Sequence, residues 1–97
     1  MTGVRVSLVD VYVVRPARED GLEFLLLQRA MKGRCPGTWE TVHGHIETDE
    51  TPVVAAIREL QEETGLVPER LINLSRVEMF YRHALDEVSL IPVFAAI

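Results

Sequence analysis

A chain of 97 residues with 47% hydrophobic and 26% charged content can build one small globular domain around one core. Its 15 acidic against 10 basic residues leave a net charge of −5, which argues against a surface that coats nucleic acid and requires acidic clusters to be solvated or to hold cations. The single cysteine, Cys35, excludes an internal disulfide and reads as a small apolar filler, and no run approaches the roughly 20 apolar residues of a membrane span. The opening Met1-Thr2-Gly3-Val4-Arg5 lacks the regions of a signal peptide, so a soluble cytoplasmic protein without a membrane partner is expected.

From Val4 to Val14 β-branched residues dominate with partial alternation, predicting a first strand whose phase breaks at Leu8-Val9, as at a bulge. The polar turn Arg15 to Gly21 ends in Asp20-Gly21, and the apolar run Leu22 to Arg29 predicts a second strand that forms a hairpin with the first. After a loop with Gly33, Pro36 and Gly37, Trp39 to Ile46 predicts a third strand interrupted at His43-Gly44. Thr51-Pro52 is a helix start, with Thr51 able to cap free amides and Pro52 at the first helical position, and Gly65 supplies the left-handed residue that stops the helix. Val53, Ala56, Ile57 and Leu60 follow the spacing of a buried stripe. Ile72 to Tyr81 and Val88 to Ile97 predict two further strands joined through residues 82–87, with Pro92 favouring an edge or a bulge. Three strands, a helix and two strands imply an α+β domain spanning residues 1–97, a mixed sheet covered by a helix.

Glu59, Glu62 and Glu63 stand at i, i+3 and i+4 of that helix, which gathers three carboxylates on one side of it. Their mutual repulsion calls for a shared positive charge, and oxygen ligands suit magnesium, or manganese, better than zinc. Arg58 is placed either to pair with one of these acids and fix its orientation or to approach a phosphate. A Glu-x-x-Glu-Glu run by itself is commonly a solvated helix face. Here it belongs to a wider pattern: Gly44, five residues, Glu50, seven residues, then Arg58-Glu59-Leu60-Gln61-Glu62-Glu63-Thr64-Gly65-Leu66. At background frequencies these positions coincide by chance in on the order of one in a hundred million such chains.

This pattern, from Gly44 to Leu66, is similar to the Nudix box, and every fixed position of the box is present. The resemblance implies an α/β/α sandwich in which the box forms a loop, helix, loop unit. It implies hydrolysis of nucleoside diphosphates linked to another group, by water attack at phosphorus with a divalent metal. It also implies Glu59, Glu62 and Glu63 as metal-binding acids, Glu59 doubling as base, Arg58 orienting Glu59, and Glu50 supporting the loop from below. A backbone carbonyl of His43 or Gly44 would be a further metal ligand. The expected partner is a small-molecule nucleotide rather than a nucleic-acid polymer, with a homodimer left open. An eroded box would instead suggest a nucleotide-binding sensor without catalysis, and the three intact acids count against that alternative.

The chain departs from the box's usual surroundings: Val42 and His43 stand where the family has proline and glycine, and Asp49 replaces the glycine before Glu50. His43 and His45 are candidates for contact with substrate phosphates, although a histidine replacing a glycine is more often a packing variant, and Arg29 is a further candidate. Trp39, Phe80 and Tyr81 are read as core aromatics rather than base-stacking ones. Glu78, Asp86 and Glu87 are candidates for an extra carboxylate outside the box. The segments Leu25 to Arg29 and Val42 to Glu47 loosely resemble the branch that acts on dATP or dihydroneopterin triphosphate. The stop at Ile97, inside a predicted strand, leads to the expectation of a longer natural protein with a further strand and helix.

Overall fold

The computed structural model describes residues 1–33 and 35–97. In chain order the elements are β1 (Gly3–Arg5), β2 (Leu8–Pro16), β3 (Leu22–Leu25), β4 (Leu27–Gln28), β5 (Trp39–Glu40), β6 (Val42–His45), α1 (Pro52–Thr64), β7 (Leu71–Arg82) and β8 (Glu87–Ala96). Each of the first three predicted strands is divided in two. The first divides because β1 and β2 both lie parallel to β8 but in offset registers: Arg5 pairs with Ser89 and Asp10 with Val93. One residue is therefore extra between them, and the break falls at Val6-Ser7 rather than at Leu8-Val9.

Strand β2 is the centre of the sheet. One edge pairs parallel with β8, while the other pairs antiparallel with β6 along Leu8–Val11 and with β3 along Val13–Pro16. The β2–β3 hairpin turns at Gly21, whose φ of 84° suits a glycine. Among the described residues strand β7 pairs only with β8 and forms the sheet's outer edge, while β4 and β5 make a separate two-stranded ladder. Pro92 does not mark an edge, because β8 is flanked on both sides. It falls in the interval of β8 between Ser89 and Val93 that neither β1 nor β2 pairs, so its missing N–H costs no ladder bond on that side.

Alternation along β2 sends Val9 and Val11 to the face covered by α1, where they meet Val42, Phe94, Ala96, Ala55, Ala56 and Leu60 in the core. Full burial of Leu60 alone contributes roughly 1.5–3 kcal/mol. The helix presents Ala55, Ala56 and Leu60 inward, whereas Val53 and Ile57 of the predicted stripe are exposed. Glu59 explains the rotation: it shares a helix row with Ala55, so directing Glu59 at β6 turns Ala55 to the sheet and swings Val53 and Ile57 outward. The opposite face carries a shallow apolar trough lined by Tyr12, Val14, Phe24, Ile72 and Ala95. Mixed sheet and helix together give the α+β architecture the sequence predicts. Among the described residues no helix is long and apolar enough to cross a membrane.

Candidate active site

Both ends of α1 are fixed by local chemistry, and that sets the bearing of every acid on it. The Thr51 side chain accepts a hydrogen bond from the Val54 N–H at 3.3 Å, and Gly65 closes the helix with φ 76° and an N–H to Gln61 carbonyl bond of 2.8 Å. Within this frame the Glu59 carboxylate lies directly over Gly44 of β6. A Cβ added at Gly44 would stand 2.1 Å from the Glu59 Cδ, so the approach requires a residue with no side chain. Gly44 is needed for close packing, not for an unusual backbone angle.

Arg58 is the hub of the loop that leads into the helix. Its Nε donates to Glu50 Oε2 at 2.7 Å and its Nη2 to Glu50 Oε1 at 2.9 Å, a bidentate pair. Nη2 also donates to the His45 carbonyl at 2.9 Å, while Nη1 reaches Glu59 Oε1 at 3.0 Å and Glu62 Oε2 at 3.1 Å. Glu50 in turn accepts from the Glu47 N–H at 2.9 Å. The Arg58 guanidinium and that N–H hold the Glu50 carboxyl down to about 2, and the carboxylates around Arg58 raise its own pKa. Asp49, where a glycine is usual, adopts φ 71°, so the loop keeps a left-handed turn despite the substitution.

Glu63 is in the opposite electrostatic situation. Crowding by protein, then the charges of Glu59 and Glu40, push its carboxyl up to about 7, against smaller downward effects of the His43 backbone and the His43 charge. Glu40 is thus a carboxylate outside the box whose charge reaches Glu63, and it also accepts from Arg29 Nη1 at 3.0 and 3.1 Å. The predicted candidates lie elsewhere: Glu78 accepts from the Tyr12 hydroxyl at 3.0 Å, Asp86 takes Thr2 and Tyr81 hydroxyls at the β7–β8 turn, and Glu87 begins β8. Glu40 escaped the sequence reading because its approach to Glu63 brings strand β5 and helix α1 together across a long stretch of chain.

Among the described residues no three His, Cys, Asp or Glu side chains form a ready-made metal cage, and Arg58 bridges Glu59 and Glu62. The donor set nonetheless fits a hard divalent cation. It is all oxygen, Glu59 fills a cradle that a Cβ would block, and Glu63 stands within reach of the like charges of Glu59 and Glu40.

His43, the other departure from the usual box surroundings, points to the sheet face away from α1. There its Nδ1 bonds the carboxylate of Asp10, which is only 6% exposed and stands directly opposite on β2. This bond raises the His43 pKa and partial burial opposes it. Asp10 has no sequence signal beyond a charge inside a β-branched run. His45 is exposed, and its carbonyl is the part engaged by Arg58. The core reading of the aromatics is corrected: Trp39 is 63% exposed on the small β4–β5 ladder, and Phe80 and Tyr81 are exposed on edge strand β7, which no second layer covers. Cys35, read as filler, is also exposed. A separate cleft of about 450 Å³ lies beside Leu60, lined by Val13, Phe24, Leu25 and Leu66, and contains none of the box acids.

A mixed sheet whose central strands carry a capped acidic helix over a glycine defines the fold and site class. The family model of the NUDIX domain matches residues 5–94, and the chain belongs to that family. Over 68 residues the chain is 44% identical to an RNA pyrophosphohydrolase of Stenotrophomonas maltophilia (strain K279a), a match that covers 70% of this chain and 31% of the relative. The chain thus spans less than a third of that relative's length. Among solved structures it resembles a Nudix hydrolase from M. smegmatis, RenU, with TM-score 0.71 and 23% identity over 99% of this chain and 63% of that one. The NUDIX domain of Shewanella oneidensis NrtR complexed with ADP ribose gives TM-score 0.72 and 22% identity over 99% and 60% of the respective chains.

Proposed function

We propose that this domain hydrolyses a diphosphate linkage in a nucleoside triphosphate or another nucleoside diphosphate derivative, with magnesium, or manganese in its place. The observation that carries the reading is the Glu59 carboxylate seated over Gly44, with Glu63 close enough on the same helix to feel its charge. Glu59, Glu62 and Glu63 are the metal-binding acids, joined by a backbone carbonyl of His43 or Gly44. Bound there, the cation offsets phosphate charge and acidifies the attacking water. Glu59 accepts the proton of that water as its oxygen attacks phosphorus, the bridging P–O bond breaks, and the leaving phosphate departs with the bond's electron pair. Arg58, tied to Glu50, holds Glu59 in orientation, and Glu62, which also accepts from Arg58, would turn from it to hold the cation. Arg29 and His45 contact substrate phosphates, with Arg29 shared with Glu40.

The acidic balance favours a small nucleotide, used in the cytoplasm, over a polymer, and leaves open a homodimer. The name of the 44% identical relative brings RNA ends into the test as well. The Arg58 bridge between Glu59 and Glu62 supports a second reading, a module that binds a nucleotide without turnover.

The deciding experiment incubates the protein with magnesium and a panel of dATP, other triphosphates, dihydroneopterin triphosphate, ADP-ribose, dinucleoside polyphosphates and 5′-triphosphorylated RNA, with products separated by chromatography. Release of a monophosphate that disappears in Glu63→Gln supports hydrolysis and names the substrate class. Saturable nucleotide binding without product supports the second reading.

A further inference from the structure

Asp10 is a carboxylate buried in the middle of the sheet, on the face away from the box helix, and no step of the proposed reaction uses it. Its partner His43 lies on β6, the strand whose backbone serves both box acids that face the sheet. Gly44 lies under Glu59, and the His43 backbone faces Glu63 closely enough to lower its pKa. Apolar alternation does not distinguish this register from one shifted by two residues. Such a shift would carry Gly44 about 7 Å away and put Val42 or Ile46 beneath Glu59. In one shifted register His45 would face Asp10 instead, but its carbonyl would then leave Arg58. The Asp10–His43 bond, formed across directly opposed residues, belongs to the observed register alone.

We infer that Asp10 is a positioning residue of the metal site: through its bond to His43 it locks β6 so that Gly44 stays beneath Glu59 and the His43 backbone stays against Glu63. The inference rests on the proposed metal role of these acids. Removing Asp10 also leaves the partly buried His43 imidazole without its partner, which costs stability, so position and stability are measured separately.

The experiment titrates Mn²⁺ against the full chain by electron paramagnetic resonance, with thermal unfolding in parallel. Asp10→Ala and the double variant Asp10→Leu/His43→Val are expected to weaken Mn²⁺ binding by about 10-fold, the lower end for partners behind a ligand. The double variant leaves no unpaired buried charge and decides the matter if Asp10→Ala does not fold. Asp10→Asn, which can still bond His43, is expected to bind close to wild type. Ile91→Ala, a cavity on the same face of the sheet as Asp10, is expected to lower thermal stability without changing Mn²⁺ affinity. Wild-type affinity in the double variant overturns the inference, as does equal weakening in Ile91→Ala or an absence of Mn²⁺ binding in the wild type. The nucleotide panel, run on the wild type, separately reports whether the hydrolytic reading fails.

Discussion

The Glu59 carboxylate occupies the space that a side chain at Gly44 would need: its two oxygens would lie 2.4 and 2.5 Å from a Cβ built there. Backbone packing on β6 and side-chain placement on α1 are therefore one feature. Gly44→Ala should displace Glu59 from the site. The expected outcome is a fall in kcat of about 100-fold, in line with a misplacement of about 1 Å, together with about 1–3 kcal/mol of destabilisation from overpacking. Steady-state kinetics and urea unfolding of the variant check both; unchanged kcat would mean that Glu59 need not sit there.

Arg58 uses three nitrogens on Glu50, the His45 carbonyl, Glu59 and Glu62, a geometry that lysine cannot reproduce. Arg58→Lys should retain the charge yet lower kcat by about 10- to 100-fold, as expected for a residue that orients a metal ligand. KM should change less than kcat, and a variant that instead loses only substrate affinity would reassign Arg58 to phosphate binding.

Glu50 carries a pH signature with a defined sign. Its folded pKa of about 2 lies below the ordinary 4.5, so the folded state holds fewer protons on it and ionised Glu50 favours folding. That contribution is fully present above about pH 4.5 and disappears as pH falls through 2. Thermal unfolding from pH 6 to pH 2 should therefore show wild type and Glu50→Gln well separated at the upper end and converging at the lower. Parallel curves would place the Glu50–Arg58 pair outside the stability balance.

A cation that binds only the folded state must stabilise it. At a magnesium concentration about 100 times its Kd the gain is about 2.7 kcal/mol, read as a rise in Tm. Glu59→Gln and Glu63→Gln should each abolish most of that rise. Glu63→Gln should also unfold at a higher temperature than wild type without metal near neutral pH, since it removes a carboxyl whose charged form is disfavoured in the fold. Full magnesium response in both variants would remove these acids from the site.

Gly65 ends α1 at φ 76°, in open space with nothing within 4 Å of an added Cβ. Gly65→Ala should therefore cost about 1 kcal/mol, from left-handed strain alone, with no change in the nucleotide products. A larger loss, measured by urea unfolding, would point to a packing role.

The sequence by itself determined what depends on near neighbours along the chain. Thr51, Pro52 and Gly65 bound the helix, the i, i+3, i+4 spacing puts Glu59, Glu62 and Glu63 on one side of it, and Asp20-Gly21 turns the first hairpin. The family pattern is legible for the same reason, because Gly44 through Leu66 is one continuous unit of strand end, loop and helix. Only the tertiary structure decided which distant residues join it. The offset of β1 and β2 along β8, the place of Pro92 inside the sheet, and the exposure of Val53, Ile57 and Phe80 all follow from strand pairing and layer coverage, which no local window contains. The pairing of Asp10 with His43 and the approach of Glu40 to Glu63 are of the same kind. Each depends on bringing together elements far apart in sequence, and that is decided by strand pairing and layer packing, to which both apolar faces and individual polar pairs contribute.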